Sequence, residues 1–220
     1  MFLQIRQFLA PAEVSAIAEH ARQAKFVDGR RFNPHNVTKD NLVIDPADGC
    51  GQQASQVALA AFQRCEEAHH FAFPRRIAPP QIVRYSAGKR YGAHVDSAFM
   101  TVGRQPLRSD VSATLFISDP ASYEGGELVV YLGSETVRIK GGPGDAVLYP
   151  STTLHEVKPV TAGERTVMIT FIESQIADPA QRELLYTLNE VRALEGLKMD
   201  WDNRMRLEYV AANLLRMWAR

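Results

Sequence analysis

The sequence predicts a mainly β protein with flanking helices, its strands forming an antiparallel sandwich or barrel. Between residues 78 and 175, short β-type runs (QIVRY, SATLFIS, ELVVYL, GDAVLYP, RTVMITFIE) alternate with turns rich in Gly, Pro and Asp. On either side of this region, apolar residues recur at helical spacing. The glycine clusters Gly125-Gly126 and Gly141-Gly142-Pro143-Gly144 lack the strand–turn–helix setting of a phosphate loop. They read as turns, which sets aside a nucleotide-binding fold.

Residues 1–75 read as mainly helical. Pro11 stands where a helix begins, and Val14, Ile17, Ala18 and Ala21 follow at helical spacing. A polar stretch rich in Asn, Asp and Gly runs from Asp28 to Gly51. A second helical pattern covers about Gln52 to His70, with Val57, Ala60, Ala61 and Cys65 on one side. Helix returns over about 178–220. Leu184, Leu185, Leu188, Val191 and Leu194 form one apolar stripe there, and Leu207, Val210, Leu214, Leu215 and Trp218 another. Such stripes are core or an interface, which makes these helices the candidate contact of a homo-oligomer. The expected organisation is one domain over residues 1–175, comprising the helical segment and the β region, and a helical extension over 176–220.

Composition excludes several function classes. The 220 residues carry 25 Lys plus Arg against 25 Asp plus Glu. This balance gives no basic surface for nucleic acid and no acidic tail. No apolar run approaches the length of a membrane span. The start, MFLQIRQFLAPAEV, lacks the basic opening and small-residue cleavage site of a signal peptide. Cys50 and Cys65 have no metal-type spacing and read as separate thiols. A cytoplasmic location is expected.

The chemistry is read from three residues. His94-Val95-Asp96 falls in a stretch that reads as strand, where alternate residues project from one face. A neutral imidazole and a carboxylate there suit a borderline metal such as Fe(II). With six histidines and eleven aspartates in the chain, about 0.3 such matches arise by chance. The other histidines sharpen the pattern. Only His94 and His155 lie in the β region. His20 reads as helical, His69 and His70 close a helix where cations are favoured, and His35 reads as exposed in a polar loop. His94, Asp96 and His155 together make the two-histidine, one-carboxylate facial triad, which leaves coordination positions open.

Arg165 follows His155 by ten residues, across the apparent turn Thr161-Ala162-Gly163-Glu164. A hairpin there brings the Arg strand beside the His strand. Depending on register, Arg165 either points into the cavity as a carboxylate fork or stands solvated on the hairpin.

These residues resemble a known family. H-x-D, a distant His and an Arg ten residues later are the signature of Fe(II)/2-oxoglutarate-dependent dioxygenases of the prolyl-4-hydroxylase-like branch. The stretches RYSAGKRYGAHVD, DVSATLFISDPASYEGGELVV and PGDAVLYPSTTLHEVKPVTAGER resemble the bacterial PKHD-type hydroxylases most. The resemblance implies a double-stranded β-helix, or jelly roll, flanked by helices. It implies His94, Asp96 and His155 as iron ligands and Arg165 on the C5 carboxylate of 2-oxoglutarate. Tyr85 falls where related enzymes have a tyrosine contacting 2-oxoglutarate. The implied reaction hydroxylates a substrate with O2 and releases succinate and CO2, with ascorbate a candidate reductant. The substrate, a small molecule or a protein side chain, is not named by the resemblance.

Two alternatives remain open at this point. One is a cupin-like metal enzyme that does not use 2-oxoglutarate, against which Arg165 argues. The other is a non-catalytic sensor of iron or 2-oxoglutarate, against which the intact triad argues. Thr114 reads as a plain strand threonine, with an inward polar contact to 2-oxoglutarate as the alternative. Phe116, Tyr131 and Tyr149 read as core. Lys89-Arg90-Tyr91-Gly92 reads as a loop at the cavity mouth, a candidate contact for an anionic substrate or simply solvated.

Overall fold

In the computed structural model, residues 1–32 and 36–220 are described, so the expectation for His35 lies outside the described residues. Ahead of the β region the chain forms β1 (Leu3–Ile5), α1 (Pro11–Gln23), β2 (Phe26–Asp28), β3 (Lys39–Asp40), β4 (Leu42–Ile44), α2 (Gly49–Arg64) and α3 (Glu66–Ala72). The next strands are β5 (Pro74–Ile77), β6 (Gln81–Ser86), β7 (Arg90–His94), β8 (Phe99–Val102), β9 (Gln105–Arg108) and β10 (Val111–Phe116). Then come β11 (Tyr123–Gly125), β12 (Leu128–Leu132), β13 (Glu135–Ile139), β14 (Ala146–Pro150), β15 (His155–Val157) and β16 (Val160–Ser174). Helices α4 (Pro179–Glu195) and α5 (Trp201–Trp218) follow.

One sheet has the order β1-β14-β10-β16-β6-β4-β2, with β5 and β11 pairing elsewhere along the long β16. The second has the order β13-β12-β15-β7-β3, and β8–β9 form a separate hairpin. The two sheets face one another as a jelly roll.

Period-two alternation sorts the larger sheet into two faces. On β16, Val167 and Ile169 turn toward the smaller sheet, while Met168 and Ile172 turn toward the helices. On β10, Phe116 faces inward, while Val111, Ala113 and Leu115 face the helices. Two apolar cores result. The inner one joins Val83, Val147 and Val167 to Leu128, Val130 and Val157 across the sandwich. The outer one packs the same sheet against α1, α2 and α3 through Ile17, Ala58 and Phe71.

Helix α1 starts at Pro11 as its sequence predicts, and the Glu13 carboxylate accepts from the Ala10 backbone N–H at 2.8 Å. The second helical pattern is two helices, broken at Cys65, whose φ/ψ of −86°/98° is extended. Its fully buried residues are Ala54, Ser55, Ala58, Ala61 and Phe62; of the expected side, Ala61 is buried, Val57 and Cys65 pack partly buried against the core, and Ala60 is exposed.

Three expectations are corrected. The polar stretch from Asp28 to Gly51 contains β3 and β4, which extend both sheets. Lys89 to Gly92 is not one loop, because Arg90 begins β7. Thr161 to Glu164 is not a hairpin turn. It is the first part of β16, paired with β11, and the register irregularity falls at Thr161, between the partners of Glu124 and Gly125. His155 and Arg165 therefore lie in different sheets, and Arg165 approaches from across the sandwich.

At the C-terminal end of the fold, Asp178 caps α4 by accepting from Ala180 and Gln181. The Arg182 guanidinium, buried, donates to the Ile176 and Asp110 carbonyls. Of the first predicted stripe only Leu185 is fully buried, while Leu184, Val191 and Leu194 are exposed. No helix among the described residues is long and apolar enough to cross a membrane.

Candidate metal centre

His94 and His155 are register partners across the antiparallel pair β7–β15. Cross-strand partners stand side by side on one face, and their rings are 4.3 Å apart between centroids. Strand β7 ends at His94, so Asp96 lies two residues beyond it rather than on it. The geometry expected of a strand survives because the Asp96 backbone N–H donates to the Ser151 carbonyl at 3.2 Å, while Val95 turns outward and is exposed.

The ligand atoms of His94, Asp96 and His155 lie within 4.8 Å of one another. The Asp96 carboxylate oxygens are 3.9 Å from His94 Nε2 and 3.8 Å from His155 Nε2. Both imidazoles are fixed from behind. His94 Nδ1 lies 2.7 Å from the Gly92 carbonyl and His155 Nδ1 lies 2.9 Å from the Thr153 carbonyl. A carbonyl accepts only, so each Nδ1 carries the proton and each Nε2 presents its lone pair to the common point. Burial, and after it the neighbouring His155, push the His94 pKa down to about 4, so that ring is neutral near pH 7. Tyr91 stacks on His94 at 3.6 Å, and Tyr149 meets His155 edge-on at 5.0 Å.

The carboxylate is held by a chain of serines that spacing in the sequence does not reveal. Ser112 Oγ donates to Asp96 Oδ2 at 2.5 Å, Ser112 and Ser151 hydroxyls are 2.7 Å apart, and Ser109 donates to Ser151 at 2.9 Å. All three serines are buried. Ser151 N–H in turn donates to the Asp110 carbonyl, which Arg182 of α4 also contacts.

These three side chains line a cavity between the sheets, together with Arg165, Tyr85 and Thr114. Arg165 is 1% exposed; its side chain hydrogen-bonds Tyr123, while among the described residues its Nε and Nη2 have no hydrogen-bond partner. It is the register partner of Tyr85, and the guanidinium lies 5.1 Å from the Tyr85 ring and 5.9 Å from the Phe116 ring. The Tyr85 hydroxyl accepts from Asn41 Nδ2 at 3.0 Å. Burial raises the Tyr85 pKa, and the Arg165 charge opposes that rise. A buried cation with two free N–H directions is costly unless an anion completes it. The site thus offers three ligands for a divalent ion and a fork for a carboxylate within one cavity.

Thr114 lines the cavity and hydrogen-bonds Tyr149. Phe116 and Tyr149 are buried as expected, whereas Tyr131 is half-exposed and donates to Glu156. Lys89 is paired with Asp40 at 2.6 Å and Arg90 is exposed, so neither lines the cavity. Lys39 and Asn41 do line it. The signal that would have found them is Leu42-Val43-Ile44, a short apolar run inside the polar stretch.

Residues 80–173 match the 2OG-Fe(II) oxygenase superfamily. A PKHD-type hydroxylase of Sphingopyxis alaskensis is 48% identical to this chain, over 97% of this chain and 98% of its own length. A PKHD-type hydroxylase of Xanthomonas campestris is 40% identical, over 100% of this chain and 99% of its own. Among solved structures, a Pseudomonas putida prolyl-4-hydroxylase superposes with a TM-score of 0.55 at 20% identity, covering 79% of this chain and 92% of that one. A Trichoplax adhaerens prolyl hydroxylase superposes with a TM-score of 0.60 at 16% identity, covering 78% and 83%. At those identities the solved structures share the fold, the jelly roll described above. The full-length relatives go further: the chain belongs to the PKHD-type hydroxylases of the 2OG-Fe(II) oxygenase superfamily.

Proposed function

We propose that this protein hydroxylates a C–H bond of a separate substrate, with Fe(II) held by His94, Asp96 and His155 and 2-oxoglutarate bound through its C5 carboxylate by Arg165. When bound, the iron and 2-oxoglutarate supply O2 activation. One oxygen atom goes to the substrate and the other to succinate, with loss of CO2.

The chain's own residues supply geometry. His94 and His155 present neutral Nε2 lone pairs because their Nδ1 protons are committed to backbone carbonyls. Ser112 donates to one oxygen of Asp96 and limits how that carboxylate turns. Arg165, on the opposite sheet, holds the far end of a dicarboxylate whose near end reaches the metal, with Tyr85 forming the wall beside it. The apolar lining by Val83, Leu128 and Val167 excludes water around the reacting centre. The observation that carries this proposal is the Arg165 guanidinium, buried in the same cavity as the triad and two N–H groups short of partners.

That observation weighs against a cupin-like enzyme without 2-oxoglutarate, and the intact triad weighs against a non-catalytic sensor. A reducing, cytoplasmic setting belongs to the proposal on the two half-buried free thiols, Cys50 and Cys65. Ascorbate as reductant rests on the family resemblance. Self-association through the C-terminal helices rests on exposed Leu194, Leu197 and Trp201.

Aerobic incubation with Fe(II) and 2-oxoglutarate tests the reaction. Iron-dependent succinate, formed slowly alone and faster with a true substrate, is the expected result. No succinate under either condition would overturn the proposal.

A further inference from the structure

The cavity holds a second cation besides Arg165. Lys39 lies on β3, the edge strand beside the metal strand, and is the register partner of Tyr91. Strand alternation sends Lys39 and Asn41 toward the cavity and Asp40 away from it, to Lys89. The Lys39 ammonium lies 5.5 Å from the centroid of the Tyr91 ring, the ring that stacks on His94.

Four of the other five lysines have found acceptors. Lys89 pairs with Asp40, Lys158 with Glu156 and Lys198 with Glu195, while Lys140 donates to the Tyr123 carbonyl. Among the described residues no carboxylate lies within ion-pair distance of Lys39. Two carboxylates reach it by their fields alone: first Asp96, whose oxygens face the two imidazoles of the triad, and then Asp28, which is committed to Arg30. Burial lowers the Lys39 pKa, the mark of a charge short of solvent and gaining from an anion.

Charge bookkeeping gives the sign and size of the missing partner. The charged groups lining the cavity are Lys39, Asp96 and Arg165. A divalent iron, the Asp96 carboxylate, a 2-oxoglutarate dianion and Arg165 sum to zero. Lys39 leaves one positive charge over, close to the metal and not needed by the cosubstrate.

We propose that Lys39 is a substrate-recognition residue that selects a substrate carrying one anionic group, a carboxylate in the simplest case, next to the carbon that is oxidised. This inference rests on the function proposed above. It moves the anion contact from Lys89-Arg90, where the sequence suggested it, to the opposite strand of the same pair. The cation–π contact with Tyr91 keeps the ammonium over the cavity until the anion arrives. The substrate's anion then ties it to β3, which pairs with the strand that carries His94, so that recognition and metal binding share one sheet.

The probe for the test is trifluoroacetate, a monoanion observed by 19F NMR, with trifluoroacetamide as its neutral match. Co(II) replaces Fe(II), and 2-oxoglutarate is saturating. Binding near the paramagnetic ion broadens the 19F line. The expected result is saturable broadening of trifluoroacetate and none of trifluoroacetamide. In Lys39→Met the trifluoroacetate affinity falls by about tenfold or more, the effect of losing one charge-assisted contact, and Lys39→Arg restores most of it. The 2-oxoglutarate affinity of Lys39→Met, measured by calorimetry, stays within about twofold of the wild type. Equal broadening in wild type and Lys39→Met, or none in wild type, overturns the inference. A matching loss of 2-oxoglutarate affinity overturns it as well, by assigning Lys39 to the cosubstrate. Failure of Co(II) and 2-oxoglutarate to bind the wild type at all is a different outcome and overturns the underlying function instead.

Discussion

Truncating Arg165 to alanine removes the fork while leaving the triad, on the other sheet, untouched. The expected outcome for Arg165→Ala is a 2-oxoglutarate KM raised by roughly ten- to a hundredfold, the scale of a lost bidentate charge-assisted contact. Metal affinity should change by less than about threefold. Calorimetric titration of metal and cosubstrate separately checks this split, and an equal loss of both contradicts the assigned role. His94 makes a second prediction, for the metal-free protein. Its folded pKa is about 4, depressed by burial and by His155 from 6.5. The unfolded chain therefore binds the proton first as pH falls. Stability is fully present above pH 6.5 and declines between 6.5 and 4, at about 1 kcal/mol per pH unit or slightly more. Urea unfolding across that window measures the decline, and His94→Ala should flatten it. At this scale the sequence revealed the residues with rare chemistry. His94, Asp96, His155 and Arg165 stand out because few histidines lie in the β region and because the arginine spacing is distinctive. Ser109, Ser112 and Ser151 were not legible, since serine is common and their contact across β10 and the loop after β14 exists only in the folded chain.

The path from His155 to Arg165 shows where spacing misleads at the scale of elements. Ten residues with a central Gly suggest a hairpin, yet the chain crosses between sheets at Lys158-Pro159 and runs straight through Gly163 as β16. A two-sheet sandwich offers a crossing as readily as a turn, and local sequence does not distinguish them. Gly126 shows what this crossing requires. Its φ is 68°, and a Cβ there would meet Val160 Cγ2 at 2.9 Å and Arg165 Cδ at 3.0 Å. Gly126→Ala should cost about 1–3 kcal/mol through backbone strain, measured by chemical denaturation. By crowding Arg165 it should also weaken 2-oxoglutarate binding more than metal binding. Unchanged cosubstrate affinity in a folded Gly126→Ala protein would contradict the tight seat described for Arg165. Helix existence, by contrast, was legible from periodicity. The buried face of α2 was legible only in part: Ala61 was on the expected side, but the fully buried line runs through Ala54, Ala58 and Phe62, a choice set by how the helix packs in the fold.

Over the whole molecule, the two sheets divide the labour. The smaller sheet carries both histidines, and the larger carries Arg165, Tyr85 and the serine that steadies Asp96. Arg182 ties α4 to the carbonyl of Asp110, one bond from the Ser151 loop, so the C-terminal helices brace the site without entering it. Their apolar stripes were visible in the sequence, but whether a stripe becomes core depends on what packs over it, and only Leu185 and Ala211 are fully buried there. Because the site joins distant parts of the chain, its ligands should stabilise the fold as a unit. Metal at about a hundredfold over its Kd is worth about 2.7 kcal/mol, read as a rise in Tm. The measurement that bears most directly on the central claim is anaerobic visible spectroscopy of the protein with Fe(II) and 2-oxoglutarate. A weak charge-transfer band that appears only when both are present, is lost in His155→Ala, and shifts to higher 2-oxoglutarate concentration in Arg165→Ala is the predicted result. Absence of the band in the wild type, or a band unaffected by either substitution, would contradict the site as described.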